Sequence, residues 1–368
     1  MFRKTAMSTT HAPLPLWSVA WPVLGWCLLG GSLAGLAGGW WVLVLAAGLI
    51  GTVLSAVHHA EVVAHKVGEP YGTLVLALAI TVIEVALIVS MMLAGGPETT
   101  ALARDTVFAA VMLILNGIVG ICLLAGGSRY HEQTFGQRGV SASLTTLAAI
   151  AVLTLVLPNY TTTTPGPMYS PSQLAFVAVV SLVLYGTFVL VQAVRHRDYF
   201  LPKGAKADEE AHAHPPSGKL AAMSAGLLLL GLVAVVLLAK ALAPTIETVV
   251  ANAGAPKAVV GIIIAMVVLL PEGLAAFRAA HANRLQTSLN LALGSALASI
   301  GLTIPAVAIV SLATGWTLTL GLDIKSSVLL LLSLFVSSLS LSTGRTTVLQ
   351  GTVHLVLLAT YLFTTIVP

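Results

Sequence analysis

Eleven stretches of mostly apolar residues, most near the length of a bilayer, run through the chain, and that pattern restricts it to a polytopic membrane fold. A helix needs about 20 such residues to cross the hydrocarbon. Inside lipid every backbone N–H and C=O must be paired within the spanning structure, which helices do segment by segment. The stretches fall at approximately 14–36, 40–57, 72–94, 106–125, 141–158, 172–194, 220–242, 257–277, 287–314, 325–341 and 348–367. Charged residues make up only 8% of the 368, against roughly 25% in a soluble domain. A soluble core of this length could not hide that much apolar surface. The predicted class is an all-α integral membrane protein with about eleven transmembrane helices.

The loop charges orient those helices. With the N-terminus inside, the inner segments hold 13 basic residues, from Arg3 and Lys4 through Arg195 and Lys219 to Arg345. The outer segments hold four, namely Arg104, Lys240, Lys257 and Lys325. The sum, 13 + 4, is the 17 of the whole chain. The positive-inside rule then places the N-terminus in the cytoplasm and the C-terminus outside, which requires an odd number of spans. Basic residues scattered this way imply no nucleic-acid partner. The first stretch follows Arg3 and Lys4 with no small-residue cleavage site, so it reads as a span and not as a removed signal peptide. Cys27 and Cys122 lie in apolar runs, which indicates neither a disulfide frame nor a thiolate metal site.

Two parts of the chain share a spaced pattern. Glu61, Gly68 and Pro70 recur as Glu247, Gly254 and Pro256, each 186 positions later, and each set leads into a span with one buried acid, Glu84 or Glu272. Residues 1–36 then hold the N-terminus and a leading helix, and 37–194 a first five-helix repeat. Residues 195–219 form an inner loop, and 220–368 a second five-helix repeat. Five is odd, so the second repeat lies upside down relative to the first. Secondary transporters are built this way, with the binding site at mid-membrane between inverted repeats. The inner loop carries Asp208-Glu209-Glu210-Ala211-His212-Ala213-His214. It reads as a solvated linker or as a tract that senses metal or pH.

The chemistry concentrates on the two acids. Glu84 has ten apolar-biased residues on either side, and a charge at mid-bilayer costs at least ~2.5–3.5 kcal/mol, which marks it as functional by default. Thr73, Ala77, Thr81 and Glu84 share a helical stripe. Glu272 follows Pro271, whose missing N–H frees the carbonyl of Val267, and oxygen ligands of that kind suit a hard cation. Asn290, Gly294 and Ala298 form another stripe, with Ser295 and Ser299 beside it, and Asn116 holds a comparable place after Glu84. Thr81, Asn116, Val267, Asn290, Ser295 and Ser299 are therefore the accessory candidates. His58, His59, Glu61 and His65 precede the Glu84 span at the inner surface. They read either as a solvated helix extension or, at His59, Glu61 and His65, as the access point for protons or cations. No metalloprotease, Walker, dinucleotide or nucleophile-elbow motif is present.

These residues resemble a known family. His59-Ala60-Glu61 with Gly68-Glu69-Pro70-Tyr71-Gly72 and Glu84 is similar to the first alpha-repeat of the calcium:cation antiporter superfamily. Pro271-Glu272-Gly273, with Leu291-Ala292-Leu293-Gly294-Ser295 and Pro305, is similar to the second. Ser342-Thr343-Gly344-Arg345-Thr346 resembles the bacterial calcium/sodium–proton antiporter branch, the ChaA type. The resemblance implies eleven spans, residence in the bacterial inner membrane, and proton-driven exchange of calcium, sodium or potassium, with Glu84 and Glu272 as ion ligands. The superfamily's Gly-Asn-Ala-x-Glu pattern is not kept: the equivalent stretches are Ile80-Thr81-Val82-Ile83-Glu84 and Val268-Leu269-Leu270-Pro271-Glu272.

The sequence thus reads as a secondary transporter and not as an enzyme, with no cofactor. Its partners are the lipid bilayer, inorganic cations and protons. Calcium is the first choice of cation because two carboxylates neutralise one divalent charge, with sodium or potassium next. A cation channel would also keep buried acids and stands as the alternative, ahead of a membrane-embedded enzyme.

Overall fold

A computed structural model describes residues 14–68, 71–95, 99–201, 216–256 and 258–367. Glu69 and Pro70 of the first motif and the Asp208–His214 tract lie outside the described residues. Among the described residues, eleven helices form the body. In chain order they are α1 Leu16–Leu33, α2 Gly39–Val67, α3 Tyr71–Gly95, α4 Leu102–Tyr130, α5 Gln137–Tyr160 and α6 Pro171–Arg195. After the inner loop come α7 Gly218–Asn252, α8 Ala258–His281, α9 Leu285–Thr314, α10 Ile324–Ser340 and α11 Val348–Ile366. Ten are long and apolar enough to cross a membrane, and α10 is a shorter apolar helix of 17 residues. The expected count of eleven holds, although several helices outrun the expected stretches. α2 continues to Val67 and α7 to Asn252, carrying Pro244 inside it, because helix propagation does not stop where the apolar run stops.

Local chemistry sets several helix starts. Ser170 and Gln173 form a capping box with Pro171 in the first turn of α6, and Thr347 and Gln350 do the same for α11. Asp323 caps α10 by accepting from the Ser326 N–H at 2.6 Å. α4 is interrupted by a π-helical turn at Leu113–Ile118, which contains Asn116. The last helix reaches α4 through Gly351, where an added Cβ would collide with the backbone of Leu124 and Gly120.

The helices pack around two apolar cores. One is built on α2 and α7, with α1 packed along both. The other gathers α4, α5, α6, α9 and α10. The two acid-bearing helices contribute to both: on α3, Ile83 and Leu87 face the first core and Ile88 the second. On α8, Ile264 and Val268 face the first while Ala265 and Leu269 face the second. α3 packs on α9 and α8 packs on α4, so each acid-bearing helix meets the helix that follows the other acid. Two-residue strands join the loops on the face where Arg195 and Ser217 lie, with Gln133 paired to Thr346 and Thr134 to Arg345.

Candidate functional site

Glu84 and Glu272 line one cavity of about 160 Å³ at the junction of the two cores. Both are buried, at 3% and 8% exposure. Glu84 Oε1 accepts a hydrogen bond from Ser299 Oγ of α9 at 2.7 Å. Among the described residues, neither carboxyl oxygen of Glu272 has a hydrogen-bond partner. The two acids, with Glu61 of α2, lie close enough for their charges to repel. Among the described residues, no Lys, Arg or His lines the cavity. Two carboxyl groups without a cationic side chain in an apolar enclosure form a site for a cation or for protons.

Of the accessory candidates, Asn290, Ser295 and Ser299 line this cavity with the two acids. Asn290 is held in place: its Nδ2 donates to the Phe200 carbonyl at 2.5 Å and its Oδ1 accepts from Gln286 Nε2 at 2.9 Å. Thr81 is buried with an unpartnered hydroxyl, but it does not line the cavity, and neither does Val267. The stripe of α3 that does face it runs through Ala77 and Ile80 to Glu84.

Asn116 is buried elsewhere. Its Nδ2 donates to Ser333 Oγ at 2.8 Å, and its Oδ1 faces His354 Nδ1 at 3.4 Å. Ser340 Oγ stands 2.8 Å from the Nε2 of His354. This polar string ties α4 to α10 and α11 and makes no contact with the cavity.

The histidines before the Glu84 span diverge. His59 is not on a solvated extension: it is fully buried, with Nε2 2.8 Å from the Ser18 carbonyl of α1. The leading helix packs along that side of α2, a contact that spacing within α2 does not reveal. His58 lies beside Trp17, ring centroids 5.1 Å apart. Glu61 and His65 are exposed.

Three polar residues that the sequence reading passed over also line the cavity: Thr106, Tyr185 and Gln192. Gln192 is an amide in the last turn of an otherwise apolar span, which is a usable signal. Thr106 and Tyr185 carry none, because their place depends on how α4 and α6 cross α8 and α9.

An all-helical membrane body with paired acids at the junction of two packed cores defines a secondary cation transporter. Residues 38–194 and 223–367 match the family model described as sodium/calcium exchanger protein. The chain belongs to that family, in the ChaA-type branch of the calcium:cation antiporters, and is a secondary cation antiporter. It is 37% identical over 319 residues to the sodium-potassium/proton antiporter ChaA of Escherichia coli strain K12, covering 86% of each chain. It is 47% identical over 368 residues to the protein y4hA of Sinorhizobium fredii, covering 99% of this chain and all of that one. Identity to the Ca(2+)/H(+) antiporter of Aphanothece halophytica is 25% over 279 residues, 71% of this chain and 72% of that one. The solved structure of native YfkE superposes with a TM-score of 0.72 at 17% identity, covering 96% of this chain and 99% of the other. That of the H+/Ca2+ exchanger CAX gives 0.71 at 15%, covering 95% and 88%. These two show the shared fold.

Proposed function

We propose that the protein exchanges sodium or potassium for protons across a bacterial inner membrane, with Glu84 and Glu272 holding cation or protons in turn. The observation that carries this reading is the pair of buried acids in one cavity that, among the described residues, no cationic side chain lines. Burial disfavours two bare carboxylates, so the empty site takes up protons, and a cation entering must displace them. The site is occupied by one or the other, and the protein reorients only when loaded.

Sodium or potassium is favoured over calcium by the identity to the sodium-potassium/proton antiporter, which exceeds that to the Ca(2+)/H(+) antiporter. Calcium remains the second reading, on the charge balance of two carboxylates.

Alternating access takes its form from the two cores: α1, α2 and α7 move against the remaining helices, and α3 and α8, which belong to both, carry the acids between the two faces. The crossed packing of α3 on α9 and α8 on α4 supports an inverted pair of five-helix repeats at 37–194 and 220–368. The 13-to-4 asymmetry of basic residues supports an inner face at Arg195 and Ser217. The test is flux into sealed vesicles with sodium, potassium and calcium, with and without a pH gradient. An antiporter drives cations uphill from the gradient; a channel lets them run only downhill.

A further inference from the structure

The cavity has a second end. Toward the face opposite Arg195 it finishes at Thr106, in the second turn of α4. Thr106 is fully buried, its hydroxyl has no partner among the described residues, and the residue lines the same cavity as Glu84 and Glu272. Two residues earlier, Arg104 lines a separate groove on that outer face, together with Asn159, Thr161 and Asp323. Two positions apart on α4, Arg104 and Thr106 thus line different spaces.

Asp105 stands between those two residues in sequence, with Tyr361 of α11 also facing it. Its Oδ1 accepts from Arg104 Nε at 2.7 Å, and Asp323 is the other acid facing it. Arg104 Nη1 also donates to the Gly321 carbonyl at 3.0 Å. Gly321 belongs to a segment pinned over this end, with Thr319 N bonded to the Thr100 carbonyl and Gly321 N to that of Pro167. From the other side α8 presses Gly261 against the Asp105–Thr106 backbone, where even a methyl group would stand 3.2 Å from Asp105 C and Thr106 N. A carboxylate held by a resident guanidinium, next to an unpartnered hydroxyl at the end of a cation cavity, has the parts of a transfer step.

We propose that Asp105 and Thr106 form the outer station of the ion path, a transient site for the transported cation. Arg104 is the charge that the cation displaces. The proposal rests on the cavity being a cation site. When the outer end opens, Arg104 releases Asp105 and swings toward the groove, where its Nη1 already holds the Gly321 carbonyl. The carboxylate then receives the cation, the Thr106 hydroxyl supplies the next oxygen inward, and Arg104 returns behind it. Charge is balanced at Asp105 throughout, by the guanidinium or by the cation.

Thiol accessibility tests this directly. In a chain with Cys27→Ser and Cys122→Ser, Thr106→Cys is exposed to membrane-impermeant thiol reagents of equal size and opposite charge, applied separately to each face. The expected result is modification from the Arg104 face, faster with the cationic reagent and faster still with Arg104→Gln added. Asp105→Asn should erase the charge preference. Modification only from the Arg195 face, none from either face, or an unchanged preference in the Asp105→Asn chain overturns the proposal. Asp105→Asn in the natural chain gives a second reading that needs no cysteine. Apparent cation affinity at the outer face should fall by roughly fivefold and lose much of its salt dependence, as expected when a steering charge is removed. An unchanged affinity there overturns the proposal too. If labelling and affinity behave as expected while the Glu84 and Glu272 variants still transport normally, the path is right and the assignment of the acids is wrong.

Discussion

Ser299 reaches across 215 positions of sequence to donate its hydroxyl proton to Glu84, whereas Glu272, in the same cavity, has no donor on either carboxyl oxygen among the described residues. The two acids therefore differ in their freedom: Glu84 is aimed and Glu272 is not.

Removing that aim should weaken cation binding without unfolding the chain. A hydrogen bond to a charged group contributes about 1.5–3 kcal/mol, so Ser299→Ala should raise the apparent KM for the cation by roughly 10- to 100-fold. Ser299→Thr keeps the hydroxyl and should recover most of the affinity. Initial rates in proteoliposomes measure both, and equal KM values for Ser299→Ala and the natural chain would remove Ser299 from the site.

Neutralising either acid should end the coupling. Glu84→Gln and Glu272→Gln nearly preserve shape but cannot exchange a proton for a cation, so each should abolish pH-driven uphill flux while the protein remains folded. Glu61→Gln, exposed on α2, should be milder. If Glu84→Gln still moved cations uphill at near-normal rate, the mechanism above would be wrong.

Competition fixes the sign of the pH dependence. Lowering pH on the side from which the cation binds fills the carboxyls with protons, so apparent KM must rise as that pH falls. The limit is tenfold per pH unit for each proton displaced. Lowering pH on the opposite side should instead speed turnover, because protons return the carrier. Varying the two sides independently in vesicles checks both trends, and a KM indifferent to pH on the cation side would exclude a shared site.

Topology can be checked at the chain's own landmarks. A cysteine at Ser217 should react with an impermeant reagent only from the inner side, and one at Val367 only from the outer side. The reverse pattern in intact cells would invert the orientation drawn from the 13-to-4 charge asymmetry.

The join between α4 and α11 should not tolerate bulk. Gly351→Val would force the last helix off the backbone of Leu124 and Gly120, and overpacking of this kind costs typically about 1–3 kcal/mol. Thermal unfolding in detergent should show a lowered midpoint.

Sequence carried the helices and the acids because both follow from the solvent: lipid demands long apolar runs, and a Glu inside one is conspicuous. The neighbours of those acids were less legible. Asn290, Ser295 and Ser299 were readable as one polar edge of α9, since helical spacing alone brings them together. Asn116 looked equivalent by position, yet the structure bonds it to Ser333 and His354, partners 217 and 238 residues away. His59 reads from α2 alone as solvated or as an entry point for protons or cations, and it is the packing of α1 that buries it. Thr106 passed unnoticed because one threonine among apolar residues is ordinary, and only the crossing of α4 with α8 gives its hydroxyl a cavity to face.

The shortness of α10 has a consequence for the surrounding membrane. Its 17 residues rise only about 26 Å at 1.5 Å per residue, below the roughly 30 Å of a typical hydrocarbon layer. Phe335, Val328 and Leu339 on this helix are exposed and so face acyl chains, while Lys325 at its start is tied to the Thr364 carbonyl at 2.6 Å. The 35 residues of α7 rise about 52 Å on the same scale. A short stretch like α10 is accommodated by thinning of the lipid, by snorkelling of flanking residues or by association, and a long one like α7 by tilting or projecting from the bilayer. If the α2–α7 body rocks against the rest as proposed, it moves these mismatched helices relative to each other, and the rate of exchange should then vary with acyl-chain length.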